Sequence, residues 1–140
     1  MKHLASSFAS SLALVLALVG ASLVAPSVAA ADDQAINDTG QTSTVDCGDG
    51  GNVAINGSQN TLTVTGTCAS VALNGTGNTV TIDASASVAV SGVGNTLTVK
   101  AADKIMVTGS GNKVTWSKGL KAKKPKLVKL GVRNTYRRAK

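Results

Sequence analysis

A Gly-x-x-Asn motif recurs four times in this 140-residue sequence, and its spacing constrains the fold more than any other feature. An apolar–x–apolar segment lies before and after each copy, a pattern typical of short strands with one buried face. Gly and Asn accept the left-handed backbone of a tight turn, so each motif predicts a corner between two strands. The four asparagines, spaced 18, 17 and 17 residues apart, are Asn60, Asn78, Asn95 and Asn112.

A repeat of 17–18 residues is too short to bury its own apolar face, whereas stacked copies bury a continuous core. We therefore predict an all-β fold, a short parallel β-solenoid (β-helix) of about four turns, with one repeat in each turn. A degenerate C-terminal turn is predicted at Gly131–Tyr136, where the corner motif returns. Stacked asparagines would hydrogen-bond along a ladder, which explains why Asn keeps its place in every copy.

The alternative fold is a row of antiparallel β-hairpins, in which each Gly-x-x-Asn motif forms a loop. It explains the alternation of apolar residues equally well, but it accounts less naturally for the constant asparagine. The two folds differ in strand pairing. In the solenoid each strand pairs with its counterpart in the next repeat, whereas in the hairpin fold the two strands of one repeat pair with each other.

The N-terminal third of the chain has a different composition from the repeats. A basic start, Met1–His3, precedes a continuous apolar run over 12–19, and small residues follow Pro26. This order is typical of a secretory signal peptide, predicted here over 1–31, and the apolar run is short for a membrane span. The alternative is an uncleaved membrane anchor. Cleavage is expected after Ala29, Ala30 or Ala31.

The chain that remains after cleavage is predicted to have three regions. Residues 32–44 are predicted to be a flexible linker, 45–117 the solenoid, and 118–140 a basic C-terminal cap or tail with the degenerate repeat. No transmembrane span is expected in this mature chain, because no later stretch is long and apolar enough. We expect the mature protein to be secreted or associated with the cell envelope.

The sequence contains two cysteines, Cys47 and Cys68, which flank the first predicted turn. In an exported protein they are expected to form one disulfide, which would stabilise the fold by about 3 kcal/mol. The alternatives are two free thiols or a metal pair. The metal pair is disfavoured because the spacing is not that of a CxxC motif and no histidine accompanies it.

The mature chain lacks most of the side chains that enzymes use for proton transfer. The single histidine, His3, lies in the predicted leader, and the sequence contains no glutamate. Ser/His and Cys/His pairs are therefore excluded, and a Ser/Lys pair is left open only by counting. We predict a non-catalytic protein that uses no cofactor and no metal.

The charges of the chain are divided by sign along the sequence. Residues 32–99 contain six Asp and no Lys or Arg, whereas residues 100–140 contain thirteen Lys and Arg and one Asp. This distribution predicts docking to anionic cell-envelope polymers or lipid headgroups through the C-terminal end. The alternative is that these charges keep a sheet end soluble and unpaired. The candidate polyanion-binding residues are Lys118, Lys121, Lys123, Lys124, Lys126, Lys129, Arg133, Arg137 and Arg138.

Nucleic acid is not expected as a physiological partner, since the protein is predicted to be exported and Tyr136 alone offers little surface for base stacking. A second functional hypothesis is a module that binds a small ligand or a protein partner through its Gly/Asn corners or through a threonine face. That face would be formed by outward-pointing threonines of successive repeats. They are Thr61, Thr63, Thr79, Thr81, Thr96 and Thr98.

Several motifs together resemble a family of domains of unknown function, DUF3060, found in small secreted or lipid-anchored proteins of actinobacteria. They are the start Val45–Cys47, the Gly-x-x-Asn-Thr repeats, the segment Gly66–Cys68 and the closing segment Lys124–Thr135. The resemblance covers about residues 45–136 and implies an exported protein, but no activity. The chain departs from the family in lacking a lipid-anchor cysteine and in having Lys113 where threonine is usual.

Overall fold

A computed structural model describes residues 33–140, a region of nine β-strands without an α-helix. The signal peptide predicted over 1–31 lies outside these residues. The strands are β1 (Gln34–Ile36), β2 (Thr42–Asp49), β3 (Asn52–Ser58), β4 (Thr61–Thr76), β5 (Thr79–Val93), β6 (Thr96–Ser110), β7 (Lys113–Lys118), β8 (Lys126–Val132) and β9 (Thr135–Arg138).

Every strand pairs in parallel with its counterpart in a neighbouring repeat, so the chain is a β-solenoid of about six turns. Corner residues stack on corner residues: Gly57 pairs with Gly75, and Gly75 pairs with Gly92. The two halves of one repeat do not pair with each other. The prediction of a parallel solenoid is confirmed, and the hairpin alternative is wrong.

The long strands β4, β5 and β6 each run from one repeat into the next. They cross the corner opposite the Gly-x-x-Asn motif, where a shift of register between Val64 and Thr67 bends the β4–β5 ladder. Each turn therefore has one sharp corner at the asparagine and one bulged corner through which the strand continues. The sequence pattern predicted two separate strands for this stretch, because a bulged corner leaves little trace in the alternation of apolar residues.

The core consists of four columns of apolar side chains that fill the interior of the coil. All sixteen apolar residues of the alternating segments are buried, from Val53 in the first complete repeat to Trp116 in the last. Each Val, Leu or Ile stacks on a residue of similar size one turn away, about 4.8 Å along the axis. Burying one such side chain stabilises the fold by about 1.5–3 kcal/mol, so the columns supply the main driving force.

The solenoid begins earlier than the sequence pattern predicts. Residues 33–44, predicted as a flexible linker, instead contain β1 and the start of β2, which pair with β3 and β4. Ile36 packs against the core and Val45 is buried within it. The prediction missed this turn because the other two inward positions are polar, Gln34 and Ser43, and leave no alternating apolar pattern.

The predicted degenerate turn at the C-terminus is present. β8 pairs with β6 and β9 pairs with β7, so both strands continue the ladders of the preceding repeat. Leu127 and Tyr136 are partly buried and pack against the core. The segment 118–140 is therefore the last turn of the solenoid together with the loop that leads into it.

Candidate functional site

The Gly-x-x-Asn corners stack into a buried amide ladder. The side-chain oxygen of Asn95 accepts hydrogen bonds from the backbone N–H of Asn78 at 3.0 Å and from the Asn78 side-chain nitrogen at 3.1 Å. The side-chain nitrogen of Asn95 donates to the carbonyl oxygen of Gly75 at 3.0 Å. The four predicted corner asparagines are at most 1% exposed. These asparagine amides are bonded within the protein, so they are not available to a ligand.

The glycine of each corner is required by the close approach of successive turns. Gly92 has a φ of 134°, and a Cβ atom at this position would overlap the carbonyl oxygen of Gly75. A Cβ atom at Gly109 would overlap the carbonyl oxygen of Gly92 in the same way. With this positive φ and a turn beneath it, only glycine fits the slot, since any other residue would carry the Cβ into backbone atoms. This side of the solenoid is therefore fixed by packing.

The bulged corner on the opposite side differs from turn to turn. Cys47 and Cys68 form a disulfide there that ties the first turn to the second, as predicted. Ser85 and Ala102 occupy the same column in the next two turns. In the last turn this corner is replaced by the loop 118–125. The sharp corner sets the register. The bulged corner, here called the variable corner, carries different side chains from one turn to the next.

The loop 118–125, here called the lysine loop, extends from the variable corner. Its four lysines are exposed, while Gly119 and Pro125 are buried and anchor it. The carboxylate of Asp103 accepts a hydrogen bond from the backbone N–H of Lys121 at 2.9 Å, which fixes the path of the loop. The structure thus gathers part of the predicted polyanion-binding set at one corner. These residues are Lys118, Lys121, Lys123 and Lys124.

Two of the predicted polyanion-binding residues lie in core columns. Lys129 stacks on Val107 and Arg138 stacks on Trp116, both positions that are apolar in the turns below. The Lys129 Nζ lies 4.4 Å from the centroid of the Tyr136 ring, and the Arg138 Cζ lies 5.3 Å from that of Trp116. These cation–π contacts cover the end of the core while the charged groups stay in water. Aligning the last repeat with the one before it would have placed both residues in apolar columns and so indicated this capping role.

Tyr136 lies beneath this cap, and burial raises the pKa of its hydroxyl above the usual value of 10.0, with a smaller opposing effect from Asn134. The hydroxyl oxygen has no hydrogen-bond partner within residues 33–140. The ring therefore serves the cap by packing and by its contact with Lys129. A neutral phenol at physiological pH keeps this end of the core apolar.

The remaining predicted residues, Lys126, Arg133 and Arg137, are exposed on the last turn. All nine predicted residues thus lie on the last turn or on the lysine loop, so the charge division of the sequence becomes a division along the solenoid axis. The sign changes in the middle, where the Lys100 Nζ lies 2.6 Å from the Asp83 Oδ1 of the preceding turn. The acidic end carries Asp33, Asp38, Asp46 and Asp49.

The predicted threonine face is formed. Thr61, Thr79 and Thr96 stack in one column, and Thr63, Thr81 and Thr98 stack in the adjacent one. These side chains are exposed or partly exposed. Lys113 follows Thr96 in its column and interrupts the run of threonines before Thr135. The face is regular and neutral, in contrast to the basic end.

Comparison with known proteins gives a family for this chain. Residues 55–96 and 84–132 match the family described as protein of unknown function (DUF3060). The chain belongs to this family. No curated protein and no solved structure matches it. Membership in DUF3060 agrees with the resemblance carried by the repeats and the two cysteines, and it assigns no activity. Over residues 33–140, no helix has the length and apolar character needed to cross a bilayer.

Proposed function

We propose that this DUF3060 protein is a non-catalytic component of the cell envelope, exported by its N-terminal segment. In this proposal it docks through its basic C-terminal end to an anionic envelope surface, formed by polymers or lipid headgroups. The observation that carries the proposal is the concentration of exposed Lys and Arg on the last turn and the lysine loop. The acidic turns at the other end give the molecule a strong dipole, which orients the basic end toward a negatively charged surface.

The lysine loop is the part of the basic end best suited to docking. All of the basic side chains at this end are exposed, but Lys129 and Arg138 also lie over aromatic rings and cap the core. A lysine near an anionic membrane surface contributes about 1 kcal/mol, and this attraction falls off within about 10 Å at moderate salt. Several lysines on one loop reach the surface together.

Substitution of loop lysines tests the proposal better than truncation, because removing 118–140 would also delete the last turn and expose the core at Trp116. In one variant Lys121→Gln, Lys123→Gln and Lys124→Gln are combined. Binding is measured to phosphatidylglycerol vesicles, with phosphatidylcholine vesicles as the neutral reference, and to immobilised polyphosphate as a soluble-polymer arm. We expect retention of the variant to fall about tenfold or more on the anionic probe that represents the true surface.

A matched control removes three positive charges from the middle turns with Lys100→Gln, Lys104→Gln and Lys113→Gln. We expect this control to bind nearly as well as the unmodified protein, because the loop is intact. High salt is expected to release the unmodified protein from the probe. Retention that is unchanged by the loop substitutions and by salt would refute docking through the basic end. Fractionation of the native cells tests the envelope location.

The second candidate function is a binding module that uses the threonine face. The observation in its favour is the exposure of two threonine columns in strict register. The corner asparagines are engaged in the buried amide ladder, so the threonine face is the more accessible of the two surfaces. A partner recovered from the envelope in stoichiometric amount, and held at high salt, would favour this function over electrostatic docking.

A further inference from the structure

The two ends of the solenoid are open strand edges of opposite charge. β1 and β2 form the edge of the acidic end, and β8 and β9 form the edge of the basic end. All ladders are parallel, so the basic edge of one molecule has the direction needed to pair with the acidic edge of another. An open edge of this kind is a template for strand addition.

The register of the ladders determines which residues would meet if a second copy continued the coil. Lys126 stacks on Lys104, and following that column back through the turns leads to Asn52. Asn52 in turn contacts Asp33, whose carboxylate accepts a hydrogen bond from the Asn52 side-chain nitrogen at 2.8 Å. A second copy in register therefore places its Asp33 over Lys126 of the first.

The other ladder yields a further pair of opposite charges. Arg138 stacks on Trp116, and the same column leads back to Val45 in the first turn. Asp46 is the residue after Val45, so it would lie one position from Arg138 of the neighbouring molecule. The column of corner glycines leads back from Gly131 to Asp38, which lacks the positive φ of those glycines. Arg133 lies two residues after Gly131, so its long side chain would be near Asp38 at the contact. Continuation of the coil thus brings several acidic side chains to basic ones.

The chain itself contains a precedent for this arrangement. Asp83 and Lys100 lie at neighbouring stacked positions of successive turns and form an ion pair at 2.6 Å. The amide ladder also has open ends suited to continuation. It ends at Asn134, which accepts from Asn112, and the first turn has Gln41 at the equivalent corner, where its N–H donates to Asn60 at 2.9 Å.

We infer that a second copy of this chain stacks head to tail, with its acidic edge on the basic edge of the first, through Lys126–Asp33, Arg133–Asp38 and Arg138–Asp46. The contact joins two different surfaces and does not close, so repeated addition yields a filament. It uses residues on the stacking columns, whereas the docking test changes only the lysine loop beside them. The inference therefore goes beyond the proposed function and stands or falls separately.

Sedimentation velocity tests the inference on protein exported by an expressing host, with its N-terminal residue established by mass spectrometry. At low ionic strength we expect the sedimentation coefficient to rise with protein concentration, and at high ionic strength we expect the monomer alone. One variant, Asp33→Lys with Asp38→Lys, makes two contact residues of the acidic edge basic. A second variant, Lys126→Asp with Arg133→Asp, makes two contact residues of the basic edge acidic. Each alone is expected to lose self-association at every ionic strength.

A mixture of the two variants separates a specific contact from a general charge effect. The basic edge of the first fits the acidic edge of the second, and the reversed pair also fits, so we expect the mixture to regain concentration-dependent sedimentation. A control variant adds the same positive charge as the first variant on the exposed threonine face and should associate normally. Its substitutions are Thr61→Lys, Thr63→Lys, Thr79→Lys and Thr98→Lys.

All substituted side chains are exposed or lie at the ends of the coil, so we expect each variant to fold. Circular dichroism checks this. A monomer at all concentrations in low salt would overturn the inference. Association that persists in both charge-reversed variants, or a mixture that stays monomeric, would overturn it as well. Vesicle binding of the lysine-loop variant is read separately and tests only the proposed function.

Discussion

The two corners of each turn differ in how constant their residues are from one repeat to the next. At the sharp corner, glycine and asparagine recur in each repeat, the amides are buried, and successive turns touch at the backbone. At the variable corner, a disulfide, a serine, an alanine and the lysine loop follow one another along the axis. The difference shows that one side of the coil holds the register while the opposite side is free to carry binding groups.

The largest expected effect comes from disrupting the sharp corner at Gly92. Gly92→Ala places a methyl group into the carbonyl oxygen of Gly75 at a left-handed φ of 134°. We expect the free energy of unfolding to fall by about 4 kcal/mol or more, since backbone atoms on both turns must shift. Denaturant unfolding followed by circular dichroism measures the change.

Gly94→Ala is the matched control within the same corner. Gly94 also has a positive φ, 65°, but a Cβ there meets no atom within 4 Å. The expected loss is about 1 kcal/mol, from the left-handed backbone alone. If both variants lost the same stability, the close approach of the turns would not be what requires glycine in this column.

The next effect in size concerns the amide ladder. Asn95→Ala removes the acceptor of two hydrogen bonds from Asn78 and the donor to Gly75, all in a buried site. We expect a loss of about 3 kcal/mol, because buried polar groups are left unpaired. The exposed Asn74, whose side chain donates to Asn56 at 3.2 Å, provides the comparison.

Asn74→Ala is expected to change the free energy of unfolding by only about 0.5 kcal/mol, because water replaces the lost bond. Both variants are measured by the same denaturant titration. A loss at position 95 no greater than that at position 74 would mean that burial does not strengthen the ladder, and the sharp corner would then depend on glycine alone.

The sequence predicted the sharp corner and the four apolar columns because both recur at a constant spacing. Asn78 and Leu97, for example, lie where the repeat puts them, and the strand pairing follows from stacking identical positions. The first turn was missed because its inward positions include Gln34 and Ser43, which break the apolar alternation. Periodicity thus predicts the middle of a solenoid better than its ends.

The roles of the basic residues were only partly predictable. Counting charges placed the cationic side chains at the C-terminal end, but it gave Lys129 and Lys123 the same role. Lys129 continues the core column of Val107 and lies over the Tyr136 ring, whereas Lys123 belongs to the loop outside the columns. The signal was present in the alignment of the last repeat, but insertion of the lysine loop displaces that repeat and obscures the columns.

The smallest expected effect concerns the variable corner. Insertion of Gly-Ser-Gly-Ser between Ala122 and Lys123 lengthens the lysine loop without touching a core column or the bond from Lys121 to Asp103. Loop-closure entropy changes slowly with length, so we expect a loss of less than about 1 kcal/mol in denaturant unfolding. The same insertion between Gly94 and Asn95 should cost about 3 kcal/mol, because it moves Asn95 away from its buried hydrogen bonds to Asn78. Equal losses at the two sites would show that the variable corner also sets the register, and the division between a structural and a binding side would fail.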